Sequence, residues 1–224
     1  MSLKPVSLKP VSLKIAIVYH SSFRGNIARL AQRIAAGAAR VEDAEVRLVP
    51  IEDIDQHWAW LHECHAMVFG SPTYVGSVSA AFKGFIEMLA GQVWLERLWL
   101  NKVAGGFTCS AGRSGDKFNC LLDLLVFATQ MGMVWVPMPM TGGNYSSTGS
   151  EGDLNRMAGY LGVMAQANID EPAELAPPES DLMTAELYGE HLAKVAAAMA
   201  KGGVITTTAS NGGPSVRPWS LRDS

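Results

Sequence analysis

The sequence is poor in the features that mark several classes of protein. Its 224 residues hold three cysteines, Cys64, Cys109 and Cys120. An odd number without paired spacing argues against a disulfide framework and for a reducing compartment, the cytoplasm. Charge is scarce and nearly balanced, with 17% of residues charged and a formal net charge of −3. There is no basic field for nucleic acid, and the balance is milder than the acidic surface of a carrier that docks electrostatically on basic partners. Long apolar runs are missing too. The longest, residues 121–140, is broken by Asp123, Gln130, Gly132 and two prolines, short of the roughly 18–20 apolar residues of a bilayer span. After the first predicted strand there is neither G-x-G-x-x-G nor G-x-x-x-x-G-K-[ST], so dinucleotide-type phosphate loops are excluded there.

What is present is enough apolar residue, 48% of the chain, to bury a full core. Residues 1–13 repeat the unit SLKPV without the apolar stretch of a secretory signal and are expected to be a flexible leader. Residues 14–204 read as one domain, and residues 205–224, polar and containing Gly and Pro, as a disordered tail. Within the domain, β-rich runs alternate with helical periodicity. Strands are expected at residues 15–19, 45–49, 66–70, 103–108 and 133–136. Between them Ile27, Leu30, Ala31, Ile34, Ala35 and Ala38 form one helical stripe, and Ile54, Trp58 and Leu61 a short one. Phe82, Phe85, Ile86 and Leu89 form another, followed by Leu121, Leu124, Leu125 and Ala128. Gly105 and Gly106 thin the fourth strand where something packs closely. A Gly- and Ser-rich excursion over residues 140–180 is expected to carry a short helix at 154–166. A final helix brings Leu182, Ala185, Gly189, Leu192, Val195, Ala196 and Met199 to the sheet. Alternation of this kind predicts an α/β, doubly wound, five-stranded parallel sheet with helices on both faces. Its flavodoxin-like order 2-1-3-4-5 would put the loops after strands one, three and four on one edge.

Those three loops carry the chemistry. The first, Ser21, Ser22, Phe23, Arg24, Gly25, Asn26 and Ile27, runs into a helix whose free amides and end dipole favour a phosphate; an ordinary N-cap loop is the plain alternative. The second, Pro72, Thr73, Tyr74, Val75, Gly76 and Ser77, can present backbone groups and the Tyr74 ring to a flat ligand, or be a simple strand-to-helix turn. The third, Cys109, Ser110, Ala111, Gly112, Arg113, Ser114 and Gly115, is built of small residues that leave amides free. Together they match what flavin mononucleotide (FMN) needs: a phosphate cradle, a ring wall and a clamp on the pyrimidine edge.

At VYHSSFRGNIARLA, FGSPTYVGSVSAAFKGFIE and GFTCSAGRSGDKFN the sequence resembles the flavodoxin-like NAD(P)H:quinone oxidoreductases of the tryptophan-repressor-binding-protein type and the related NADPH-dependent FMN reductases. The resemblance implies FMN as cofactor, NAD(P)H as reductant, a quinone or similar acceptor, and a homodimer or homotetramer. It assigns the phosphate to residues 21–27, the isoalloxazine wall to 72–77 and the pyrimidine edge to 109–115. It also implies that Trp94 lines the substrate side of the flavin. The chain departs from the family in a longer first loop carrying Arg24 and in Met131 at the place of a family histidine. It keeps Gly142, Gly143 and Tyr145 of a glycine-rich loop.

Other residues read more plainly. His57, His62, Cys64 and His65 look like a metal cluster but do not converge in sequence, and no metal is expected. Cys109 reads as a small wall residue rather than a redox thiol. Trp58, Trp60, Trp99 and Trp135 read as packing, as do Met131, Met133, Met138 and Met140. A phospho-acceptor receiver of the same sheet order is excluded, because its metal-binding strand ends would need carboxylates and these read His20-Ser21 and Ser71-Pro72. The expected function is FMN-dependent electron transfer from NAD(P)H to a quinone, with Tyr74, Trp94 and Arg113 at the acceptor. The alternative is a flavodoxin-type electron carrier without NAD(P)H turnover of its own. Neither nucleic acid nor membrane is expected as a partner.

Overall fold

A computed structural model describes residues 12–21, 24–172 and 174–205. The parallel sheet is built from β1 (Leu13–Tyr19), β2 (Ala44–Pro50), β3 (Ala66–Pro72), β4 (Val103–Ser110), β5 (Val134–Trp135) and β6 (Val163–Gln166), with β2-β1-β3-β4-β5 as its order. β1, β3 and β4 are central, so both their faces are covered and their sequences are near-continuous apolar runs, whereas the edge strand β2 is mostly half-exposed. The helices are α1 (Asn26–Ala38), α2 (Trp58–Glu63), α3 (Ala80–Met88), α4 (Gln92–Leu95), α5 (Lys117–Gln130) and α6 (Glu179–Lys201), and a 3-10 turn, Ile51–Gln56, precedes α2. One apolar layer joins the sheet to α1 and α6 and a second joins it to α3 and α5.

The predicted stripe of α1 faces inward, with Ile27, Leu30, Ala31, Ile34 and Ala38 buried. α1 and α6 approach closely because both are glycine at the crossing. A Cβ at Gly37 would lie 1.8 Å from the Glu186 carbonyl oxygen, and one at Gly189 would lie 2.1 Å from that of Ile34. The thinned fourth strand has the same origin: a Cβ at Gly105 would meet the Tyr188 hydroxyl at 2.3 Å, and one at Gly106 the Trp135 ring at 2.7 Å. Trp60 and Trp99 are buried and Trp58 and Trp135 half-buried, as packing residues. Among the described residues no helix is long and apolar enough to cross a membrane.

The fifth strand position corrects the sequence reading. Among the described residues β5 pairs with Val103 and Ala104 alone, the start of β4. The chain then leaves the sheet and returns as β6, which pairs with Phe107 to Ser110 at the other end of the same strand. The helix expected over residues 154–166 does not form. Asn155 and Ala158 have positive φ, 46° and 51°, which a right-handed helix cannot contain. The segment ends instead in the strand VMAQ, and Gly162 packs so closely on β4 that a Cβ there would lie 2.2 Å from the Gly106 carbonyl oxygen. Arg156 anchors the return. It makes a two-point contact with Asp181 of α6, with both N···O distances 2.8 Å, and Asp181 also accepts from the Gln166 amide at 2.9 Å. Burial pushes the Asp181 carboxyl up, against the guanidinium that favours its charge.

Candidate functional site

Parallel strands put the starts of α1, α3 and α5 at one edge of the sheet, where the three predicted loops meet. In the first loop, Ser22 and Phe23 lie outside the described residues. Gly25 precedes α1 in the left-handed conformation, φ 72°, and among the described residues no side chain caps the helix. The first intrahelical bond runs from the Arg29 amide to the Gly25 carbonyl, 3.0 Å, so the amides of Asn26, Ile27 and Ala28 have no acceptor among the described residues. The side-chain oxygen of Asn26 is buried beside them and has no partner among the described residues. A helix start this bare, with a carboxamide turned into it, fits an anion whose oxygens accept from the amides, and turning the carboxamide over presents its NH2 as a further donor. Arg24 and Arg29 fasten the outer wall: Arg24 donates to the Ile169 carbonyl, and Arg29 to that of Ala176 at 2.8 Å.

His20 ties the first loop to the second. Its Nδ1 lies 2.8 Å from Ser79 Oγ. Ser79 caps α3 by accepting from the Phe82 amide at 3.2 Å, and its own amide donates to Ser71 Oγ at 2.9 Å. The second loop is a tight turn. Tyr74 and Ser77 exchange backbone bonds of 3.0 and 3.1 Å, while Val75 and Gly76 have φ of 50° and 83°, the two positive values of a type I′ turn. Glycine suits that geometry; a β-branched residue does not, so Val75 is held in strain at the tip. What holds it comes from α5: Asn119 donates to the Gly76 carbonyl at 2.7 Å, and Asp123 accepts from Ser77 Oγ at 2.5 Å. At the base, Thr73 Oγ1 meets Thr108 Oγ1 at 2.7 Å, and the Thr73 amide donates to the Cys109 carbonyl at 3.1 Å. Tyr74, 47% exposed, and Val75 thus stand out as a braced wall.

The third loop folds around a cation. Lys117, wholly buried at the start of α5, donates from Nζ to the carbonyls of Gly112 and of Arg113, the latter at 2.9 Å. In a trans peptide C=O and N–H point oppositely. Drawing those two carbonyls inward therefore turns the amides of Arg113 and Ser114 outward. Among the described residues no amide from Ala111 to Gly115 has an acceptor. The loop is a row of donors, as an acceptor-rich ring edge requires. Cys109 is buried and its thiol is pushed up to about 12 by that burial, so it carries no thiolate near neutral pH. Arg113 reaches outward to Glu151 at 2.5 Å.

The structure does not bring Trp94 to this edge within one chain. α3 carries the chain to the opposite edge, and Trp94 sits there in α4. Three residues on, Arg97 donates to the Gln130 carbonyl at the far end of α5, 2.8 Å away. His62, Cys64 and His65 are at that edge as well, at the foot of β3. Lys102 binds the His62 and Cys64 carbonyls at 2.7 and 2.5 Å, and His65 Nδ1 accepts from the Lys14 amide at 3.1 Å. Among the described residues no three His, Cys, Asp or Glu side chains are placed to share a metal ion.

The sequence reading missed Lys117, Asn119, Asp123 and the His20–Ser79 link. Lys117 had a signal: with Cys120, Leu121 and Leu124 it falls at i, i+3, i+4 and i+7, on the buried face of α5. Asn119 and Asp123 had none, because their partners lie on a different loop.

The chain as a whole is similar to known proteins. Residues 56–144 match the family model of the NADPH-dependent FMN reductases, a stretch that includes the second and third loops. Flavodoxin FldP of Pseudomonas aeruginosa is 34% identical over 186 residues, which cover 81% of this chain and 96% of that protein. An NAD(P)H dehydrogenase (quinone) of Aromatoleum aromaticum is 26% identical over 211 residues, 84% of this chain and 98% of that one. Among solved structures, the crystal structure of the flavodoxin, WrbA-like protein from Agrobacterium tumefaciens superposes with a TM-score of 0.64 at 33% identity, covering 83% of this chain and 98% of its own.

Proposed function

We infer the function of this chain, which belongs to the flavodoxin-like family of NAD(P)H:quinone oxidoreductases and NADPH-dependent FMN reductases, from the three loops: it is an oxidoreductase that holds FMN across them. The observation that carries the reading is a pairing on one sheet edge: among the described residues, a helix start without a side-chain cap, where Asn26 Oδ1 has no partner, faces the same way as a row of amides without acceptors from Ala111 to Gly115. The first suits a phosphate and the second an acceptor-rich ring edge. The flavin supplies the electron chemistry when bound; this chain supplies the binding. Amides of Asn26, Ile27 and Ala28 receive the phosphate, the turn at Tyr74 to Ser77 walls the ring, and the third loop donates to its pyrimidine edge.

The electrons come from NAD(P)H and pass to a quinone or similar acceptor, with exposed Tyr74 to stack on it and Arg113 to favour negative charge there. Trp94, at the opposite edge of its own chain and 45% exposed, serves that pocket from a neighbouring copy in a homodimer or homotetramer. Three buried free cysteines accord with a cytoplasmic protein. The kinship with a protein named flavodoxin favours a second reading, an electron carrier that no nicotinamide reduces directly. Anaerobic oxidation of NADH and NADPH by the FMN-loaded protein, with and without benzoquinone, separates the two. Quinone-dependent turnover is expected, and a yellow protein that neither nicotinamide bleaches would replace the oxidoreductase with the carrier.

A further inference from the structure

We propose that Lys117 is the fixed cation that stabilises reduced flavin, holding a positive charge beneath the loop that clamps the ring's pyrimidine edge; the inference rests on the FMN reading above. A wholly buried lysine is costly unless its charge has a use or a partner. Here the partners are two neutral carbonyls, of Gly112 and Arg113, and burial pulls the ammonium below its usual range. Of the charged side chains whose fields reach it, Asp181 favours the ammonium but is already paired with Arg156, which opposes it. Asp116, next in the chain, is exposed, where water screens it.

A neutral flavin that takes a hydride from NAD(P)H, releasing NAD(P)+, gains two electrons and one proton. It therefore carries one more negative charge, spread over the pyrimidine edge. That is the edge the third loop faces. Lys117 acts there twice: its charge attracts the added electron density, and its grip on the two carbonyls keeps the Arg113 and Ser114 amides pointing outward.

The test compares affinities for oxidised and dithionite-reduced FMN, together with the midpoint potential of the bound flavin, in the wild type and in Lys117→Gln and Lys117→Met. Lys117→Gln keeps a donor and loses the charge, so it carries the test if the methionine variant does not fold. Preference for the reduced over the oxidised form is expected to fall about tenfold, a potential lower by about 30 mV for a two-electron couple. Lys194→Gln, which removes an exposed cation of α6, leaves it unchanged. Equal weakening of both forms, with the potential unmoved, would show that Lys117 only folds the loop and would overturn the proposal while sparing the FMN reading. A wild-type protein that takes up no FMN would overturn both.

Discussion

Two lysines are buried at opposite edges of the sheet, and each spends its ammonium on a pair of backbone carbonyls. Lys102, at the foot of β4, closes the end of α2 by binding the carbonyls of His62 and Cys64. Lys117, beyond the top of β4, binds those of Gly112 and Arg113. Both are fully buried, yet their surroundings differ in what is left over. The carbonyls that Lys102 binds close the C-terminal end of α2, so the lysine completes the fold. Around Lys117 the chain is a loop whose amides from Ala111 to Gly115 have no acceptor among the described residues. The same side-chain chemistry closes one edge and leaves the other open to a ligand.

The comparison can be broken at several points, the largest effect first. Lys102→Met should cost about 2–3 kcal/mol of stability, because it strands two buried carbonyls, while FMN affinity stays within about twofold of wild type; urea unfolding and flavin titration measure the two. A comparable loss of FMN affinity would mean that the edges are coupled. Lys102 also gives stability a pH dependence. Burial pulls it to about 8 from 10.5, so between those values the unfolded chain holds more protons than the folded one, and stability rises with pH through that window. Lys102→Met should flatten the rise, and an unchanged slope would assign it elsewhere.

At the open edge, Asn26→Ala should weaken FMN binding by about tenfold, about 1.4 kcal/mol, with no loss of apoprotein stability. The side chain is unpartnered until an anion arrives, so thermal melts with and without FMN should diverge only for the loaded protein. The smallest effect is expected at the turn. Val75→Gly relieves a positive φ worth about 1 kcal/mol but adds unfolded-state freedom, leaving a net gain of about 0.5 kcal/mol. A loss of stability instead would mean that the Val75 side chain makes contacts this chain alone does not contain.

Much of this was legible in the sequence, because it was local. The stripes of α1 and α6, the apolar central strands and the small-residue loops follow from periodicity and turn chemistry within short windows. The split of the fifth strand was not. VMAQ is too short to declare itself, and its partner, the upper half of β4, lies far back in the chain; without that pairing the segment after Leu154 resembles a helix as well as anything. Nor was the edge at which Trp94 lies, since a tryptophan in a short apolar run reads alike at either end of a crossover. The bracing of the second loop by Asn119 and Asp123 is a property of a loop meeting a helix, which no single stretch encodes.

The most direct test of the account is to titrate the apoprotein with FMN and, in parallel, with riboflavin, following flavin fluorescence. The three-loop site predicts saturable binding of both, with FMN at least about tenfold tighter, since only FMN brings the phosphate that the bare start of α1 receives. Equal affinities would contradict the phosphate cradle, and binding of neither would contradict the site.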